Sequence, residues 1–139
     1  MLKELVDDIY LHHNYNCCET VLIAANQAYG LGMDEKDFRA ASGFGAGMCT
    51  ESVCGALSGA IMAIGLKFSN GKAHETEGFM PMVAEFYNDY FKKELGSDNC
   101  AELKKRYRYP DGDDRRCLLT IEKAAQTLEK FMADKGVTL

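Results

Sequence analysis

Cys54-Gly55-Ala56-Leu57-Ser58-Gly59-Ala60-Ile61-Met62-Ala63-Ile64-Gly65-Leu66 is the stretch that decides the fold. It is nearly apolar throughout, yet shorter than the roughly 20 residues that cross a bilayer, so it reads as a buried core helix. Gly55, Gly59 and Ala63 recur at a spacing of four, which lays a flat strip along one side where a second helix can approach the backbone. The spacing predicts a helix from about Thr50 to Leu66 at the centre of a bundle.

Working outward, Leu2, Leu5, Val6 and Ile9 form one stripe of a helix over residues 1–13. Asn14 or Asn16 caps a second helix from Cys17 to Tyr29, with Cys18, Leu22, Ala25 and Tyr29 on one face and Gly30 and Gly32 as the stop. Asp34 begins a short helix ending near Ser42. Gly43-Phe44-Gly45-Ala46-Gly47 follows as a loop, since glycines so dense favour a tight turn or a close approach to something else. Pro81 suits the first turn of a helix that reaches Leu95, with Met82, Phe86, Tyr90 and Lys93 along one side and Gly96 as its end. A shorter helix runs from Asn99 to about Tyr107, and the turn Tyr109-Pro110-Asp111-Gly112 leads to a last helix from Asp114 to Asp134. That helix carries Leu118, Ile121, Ala125, Leu128 and Met132 at heptad-like spacing. β-branched residues never alternate with polar ones over a useful length, so strands are not expected. The expectation is an all-α fold: a single compact multi-helix bundle formed by residues 1–139.

The chain has 139 residues, 47% of them apolar, and 21 acidic against 16 basic side chains give a formal charge of -5. A core can form without disulfides, and disorder is excluded as the main state. Nucleic-acid binding is not expected either, because it needs a concentrated basic surface. The cations Lys104, Lys105, Arg106 and Arg108 are followed at once by Asp111, Asp113 and Asp114, which suits a solvated helix end. Met1-Leu2-Lys3-Glu4-Leu5-Val6-Asp7-Asp8 has acids where a secretory signal needs an apolar run, so a cytoplasmic location is expected. The glycine-rich loop lacks the spacing and the Lys-Ser or Lys-Thr of a phosphate loop. His12, His13 and His74 have no metal-ligand spacing.

Six cysteines remain to be explained: Cys17, Cys18, Cys49, Cys54, Cys100 and Cys117. They are too few for a disulfide scaffold, and no pair has C-x-x-C spacing. Cys17 follows Asn14, Cys54 follows Thr50, Cys100 follows Ser97 and Cys117 follows Asp114, each a cap residue three or four positions earlier. These cysteines are therefore expected in first helical turns, where free N–H groups and the helix dipole favour a thiolate. Cys49 lies just before one such start. Converging helix starts can hold an anionic iron–sulfur cluster, or a dithiol that cycles through a disulfide, and the spacing does not separate the two. For Cys18 and Cys49 simple packing competes with either role, and Cys18 is the better candidate for core, because it sits about 100° from Cys17 around the helix.

Cys54-Gly55-Ala56-Leu57-Ser58-Gly59-Ala60 resembles the C-G-A-x-x-G motif of a family of small redox-active proteins named for that motif and four scattered cysteines. The resemblance extends to Asn16-Cys17 with Val21-Leu22, to Gly43–Met48, to Asn99-Cys100-Ala101-Glu102-Leu103 and to Cys117, in the family's order. It implies that Cys17, Cys54, Cys100 and Cys117, with Gly55 of the motif, hold a redox centre, and that Cys18 and Cys49 are additions. A related domain in a cytochrome-type protein is associated with an iron–sulfur site, so the resemblance implies electron transfer or redox sensing at a cluster ligated by these four cysteines. The alternatives are a metal-free dithiol–disulfide oxidoreductase, with Cys49 and Cys54 as a reacting pair, and a structural or partner-binding protein with Cys-ligated zinc or inert thiols. Neither a substrate nor a redox partner is named by the resemblance. The small-residue strip and the heptad-like last helix also make a homo-oligomer a candidate.

Overall fold

The structure is a computed structural model of the chain and describes residues 1–108 and 117–139. Helix α1 (Leu2–His12) buries Leu2, Val6 and Ile9, the stripe its periodicity predicts. Asn16, not Asn14, caps α2 (Cys17–Tyr29). Its side chain accepts the Glu19 N–H at 2.9 Å, while Glu19 accepts the Asn16 N–H, a reciprocal box that satisfies two donors of the first turn. Gly30 ends α2 in the left-handed conformation. Asp34 caps α3 (Glu35–Phe38), and the chain tightens into a 3₁₀ turn over Arg39–Phe44.

Helix α4 (Gly55–Phe68) starts five residues later than its apolar pattern suggests. The intervening backbone instead makes a left-handed turn, with positive φ at Ala46, Gly47, Met48, Cys49 and Glu51. Such angles cost a non-glycine residue on the order of 1–2 kcal/mol. The turn is held by its ends: the Ser52 N–H donates to Gly47 O at 3.0 Å, and Thr50 Oγ1 donates to the same oxygen. A bridge between Val53 and Asn99 then ties this turn to the segment before the helix that begins at Cys100.

Helix α5 (Phe79–Glu85) continues without a break through a wider turn over Phe86–Lys92 into α6 (Lys93–Leu95), and Gly96 stops it at φ 86°. The wider turn rotates the inner face. Phe91 and Leu95 are buried in place of Lys93, which is exposed. Helix α7 (Cys100–Arg106) is capped by Asn99, whose side chain accepts the Glu102 N–H at 2.9 Å. Helix α8 (Leu118–Asp134) buries Leu118, Ile121, Ala125, Leu128 and Met132 as the heptad pattern predicts. The expected turn at residues 109–112 and the helix start at Asp114 fall outside the described residues.

The centre of the fold is the pairing of α2 with α4. A Cβ built on Gly59 would come within 2.6 Å of Cys18 O, and one on Gly55 would overlap Cys17 Sγ, so both glycines are needed for the backbones to approach. The small-residue strip is therefore covered from within the chain. Helix α8 closes over α1, α2 and α4, and Phe131 stacks edge-on against Phe68, Phe86 and Tyr90 to fill the far end of the core. No helix of the described residues is long and apolar enough to cross a membrane.

Candidate functional site

Four cysteines from four separate segments line one small cavity. Cys17, Cys54, Cys100 and Cys117 surround a space of about 10 Å³, with Gly55, Leu103 and Thr120 completing the wall and Lys104 at its edge. That is the room of a single water-sized sphere.

Each cysteine reaches the cavity by a local device. Cys17 is the first residue of α2, placed there by the Asn16 box. The Asn16 amide also donates to Ser42 O at 3.0 Å, and Ser42 Oγ donates to Glu19 at 2.7 Å, which holds the end of the 3₁₀ turn against the start of α2. Cys54 and Cys100 are brought side by side by the bridge. Cys54 N–H donates to Asp98 O at 2.8 Å, and Cys100 N–H donates to Ser52 O at 2.6 Å. A Cβ on Gly47 would lie 2.8 Å from Cys100 Cβ, so the left-handed turn also presses directly on this residue. Cys117 immediately precedes α8.

The caps differ from their sequence reading. Asn16 and Asn99 stand one residue before Cys17 and Cys100, while Cys54 and Cys117 occupy the cap positions of α4 and α8 themselves. Thr50 lies in the left-handed turn, and Ser97 donates to Glu102 and accepts the Asn99 N–H at 3.0 Å. Asp114 lies outside the described residues. The reason is geometric: a side chain reaches the free N–H groups of the first turn from an extended backbone immediately before the first helical residue, and Asn16 and Asn99 adopt that backbone.

The thiols are also less acidic than helix starts alone suggest. Burial pushes Cys17 above the ordinary thiol range, although the N–H groups of Ala46, Cys18, Cys17 itself and Gly55 pull in the other direction. Burial and then the Cys17 charge push Cys54 up to about 12, against the N–H groups of Leu57 and Ala56. Cys100 is raised by burial and opposed by Lys104. Cys117 is pushed up to about 11 by burial and then by Cys17, again with Lys104 opposing. Desolvation outweighs the peptide dipoles here, because the sulfurs have lost water and gained only partial charges. Without a cation in the cavity the four side chains are neutral thiols at pH 7.

The other two cysteines stand apart. Cys18 is fully buried, with its thiol directed at Met62 Sδ 3.9 Å away, a core contact. Cys49 is exposed on the left-handed turn, its thiol directed at Gly43 O 3.9 Å away, and it does not line the cavity with Cys54. His12, His13 and His74 are exposed. Lys104 and Thr120 are wall residues that the sequence reading missed. The i, i+4 step from Cys100 to Lys104 was the available signal for the first.

A helical bundle in which a left-handed turn and a short bridge gather cysteines from separate segments defines a class of cysteine-centred all-α proteins. The chain belongs to the C_GCAxxG_C_C family, described as "Putative redox-active protein", whose model matches residues 15–131. Neither a curated protein nor a solved structure matches the chain.

The donor set suits a soft metal, since thiols alone, with no carboxylate or imidazole among the described lining residues, select zinc or an iron–sulfur centre. The sulfurs are not drawn into a ligand array: among the described residues no three His, Cys, Asp or Glu side chains are grouped as a metal site. The donor chemistry therefore fits a thiolate-bound centre, while the space as it stands is that of one small ion.

Proposed function

We propose that Cys17, Cys54, Cys100 and Cys117 hold an iron–sulfur cluster and that the chain works in electron transfer or redox sensing. The observation that carries this reading is the convergence of these four thiols, and no other cysteine, on one buried cavity. Their protonation supports it further. A dithiol oxidoreductase needs one thiol that ionises readily, whereas burial pushes all four of these upward. A cation reverses the balance, because a coordinated thiol is deprotonated outright. When bound, a cluster supplies one-electron transfer. The chain's part is then to shield it from water and to direct the N–H groups of Ala46, Gly55, Ala56 and Leu57 toward the sulfurs of Cys17 and Cys54, offsetting their charge.

Anaerobic purification from iron-supplied cells, followed by visible absorption and iron and sulfide analysis, tests the reading. A coloured protein containing both elements is expected. Cys17→Ser, Cys54→Ser, Cys100→Ser and Cys117→Ser should each lose or alter the chromophore, while Cys18→Ser and Cys49→Ser keep it. A colourless protein that takes up neither iron nor sulfide on anaerobic reconstitution refutes it. Zinc in their place would favour the structural alternative, and a reducible disulfide the dithiol one.

A further inference from the structure

A second, larger cleft lies against the outer side of the cysteine cavity. It measures about 470 Å³, within the roughly 300–1,000 Å³ typical of small-molecule sites. Cys17, Cys117 and Lys104 belong to both spaces, whereas Cys54 and Cys100 lie only on the inner one. A molecule in the cleft therefore touches two of the four cysteines, and the other two stay behind them.

The walls of this cleft are chemically specific. Tyr10, from the last turn of α1, and Tyr15, from the α1–α2 connection, are the aromatic residues of its described lining. Asn14 holds the connection open at φ 59°, a left-handed angle that asparagine tolerates better than most residues. Among the described residues neither the Asn14 carboxamide nor the Tyr15 hydroxyl takes part in a hydrogen bond, so both are available to a ligand. Asn16 is spent on the capping box and on Ser42, and so serves as fixed wall. The described lining carries one cation, Lys104, and no carboxylate, on a chain whose net charge is -5. Among the described residues the half-buried Lys104 ammonium pairs with Glu51 alone, loosely, at 3.7 Å. The Arg108 Nε–H donates to Lys104 O at 2.7 Å, which fixes the Lys104 backbone at the edge of the site.

We propose that this cleft binds a small organic anion with a flat ring system, the ring between the Tyr10 and Tyr15 walls and the acidic group toward Lys104. Its position as the access point to a redox centre rests on the reading given above. The binding itself depends only on the cleft.

The test separates the two. Anthraquinone-2-sulfonate, a flat-ringed anion, is titrated into the full-length protein in its metal-free form by calorimetry, and the contact residues are mapped by amide chemical shifts. Saturable one-to-one binding is expected, with shifts at Asn14, Tyr15, Asn16 and Ala46. Lys104→Gln should weaken it about tenfold, equivalent to about 1.4 kcal/mol, and the uncharged 2-(hydroxymethyl)anthraquinone should bind weaker by a similar factor. Tyr15→Ala should weaken it independently, and Cys49→Ser should leave it unchanged. Absence of saturation up to about 1 mM, an affinity indifferent to Lys104→Gln, or shifts confined to the apolar groove of Phe79, Val83 and Tyr87 would each overturn the proposal. A protein that binds the probe yet assembles no iron and sulfide would sink the cluster reading and leave this one standing.

Discussion

Replacing Gly55 by alanine discriminates sharply between a helix residue and a site residue. On helix propensity alone, Gly→Ala gains up to about 1 kcal/mol in a helix interior and less at a first position. The structure opposes that gain. The new methyl would overlap Cys17 Sγ and stand 2.8 Å from Phe44 O and 3.1 Å from Gly45 Cα. The sulfur can rotate away, but the two backbone atoms move only with the 3₁₀ turn that Asn16 and Ser42 hold in place. Overpacking of this kind costs about 1–3 kcal/mol. A net loss of about 1–2 kcal/mol is therefore expected, or roughly 3–6 °C in Tm for a chain of this length. Gly65→Ala is the internal control, since the same helix offers it only Phe79 Cζ at 4.0 Å, and it should stabilise by up to about 1 kcal/mol. Urea denaturation of the metal-free proteins gives both values, and thiol labelling reports whether Cys17 has been driven from its place. If Gly55→Ala and Gly65→Ala shift stability equally and in the same direction, the close approach of α2 and α4 at the cysteines is wrong.

The remaining expectations concern protonation, capping and access. Burial pushes the Cys54 thiol up to about 12 in the fold from the ordinary 9.0 of a free thiol, so between those pH values the unfolded chain holds fewer protons and the metal-free protein loses stability as pH rises. The loss attributable to Cys54 reaches about 4 kcal/mol at most, and wild type should fall more steeply than Cys54→Ala in denaturation series from about pH 8 upward; parallel curves would contradict the burial argument. Asn16→Ala removes the capping box and the bond to Ser42 and should cost about 1–2 kcal/mol, more than Asn99→Ala, as read from urea midpoints. An aromatic disulfide reagent should modify Cys49 rapidly in the native metal-free protein, and the buried Cys17, Cys18, Cys54 and Cys100 only as the fold opens; peptide mapping identifies the order.

Much of the helical scaffold was legible because it depends on near neighbours along the chain. The stripe Leu2, Val6, Ile9, the stop at Gly30, the Asp34 cap, the Gly96 stop and the heptad of α8 all express spacings of three to four residues or single-residue backbone preferences, and these survive whatever the helices pack against. The apolar run before Leu66 gave the central helix but misplaced its start. Nothing local announces that residues from Ala46 to Glu51 turn left-handed, a conformation they adopt under the pull of the Val53–Asn99 bridge and the Gly47–Cys100 contact.

The same division runs through the site. Sequence alone determined that Cys17, Cys54, Cys100 and Cys117 stand at helix starts, although Thr50 and Ser97, the caps it pointed to for Cys54 and Cys100, are not the residues that cap them. Only the tertiary structure decided that four of them share a cavity, that Cys18 and Cys49 are excluded from it, and that the thiols are neutral. Proximity between sulfurs some 100 positions apart and the withdrawal of water from them are properties of packing, and packing against distant segments leaves no period in the chain to be read.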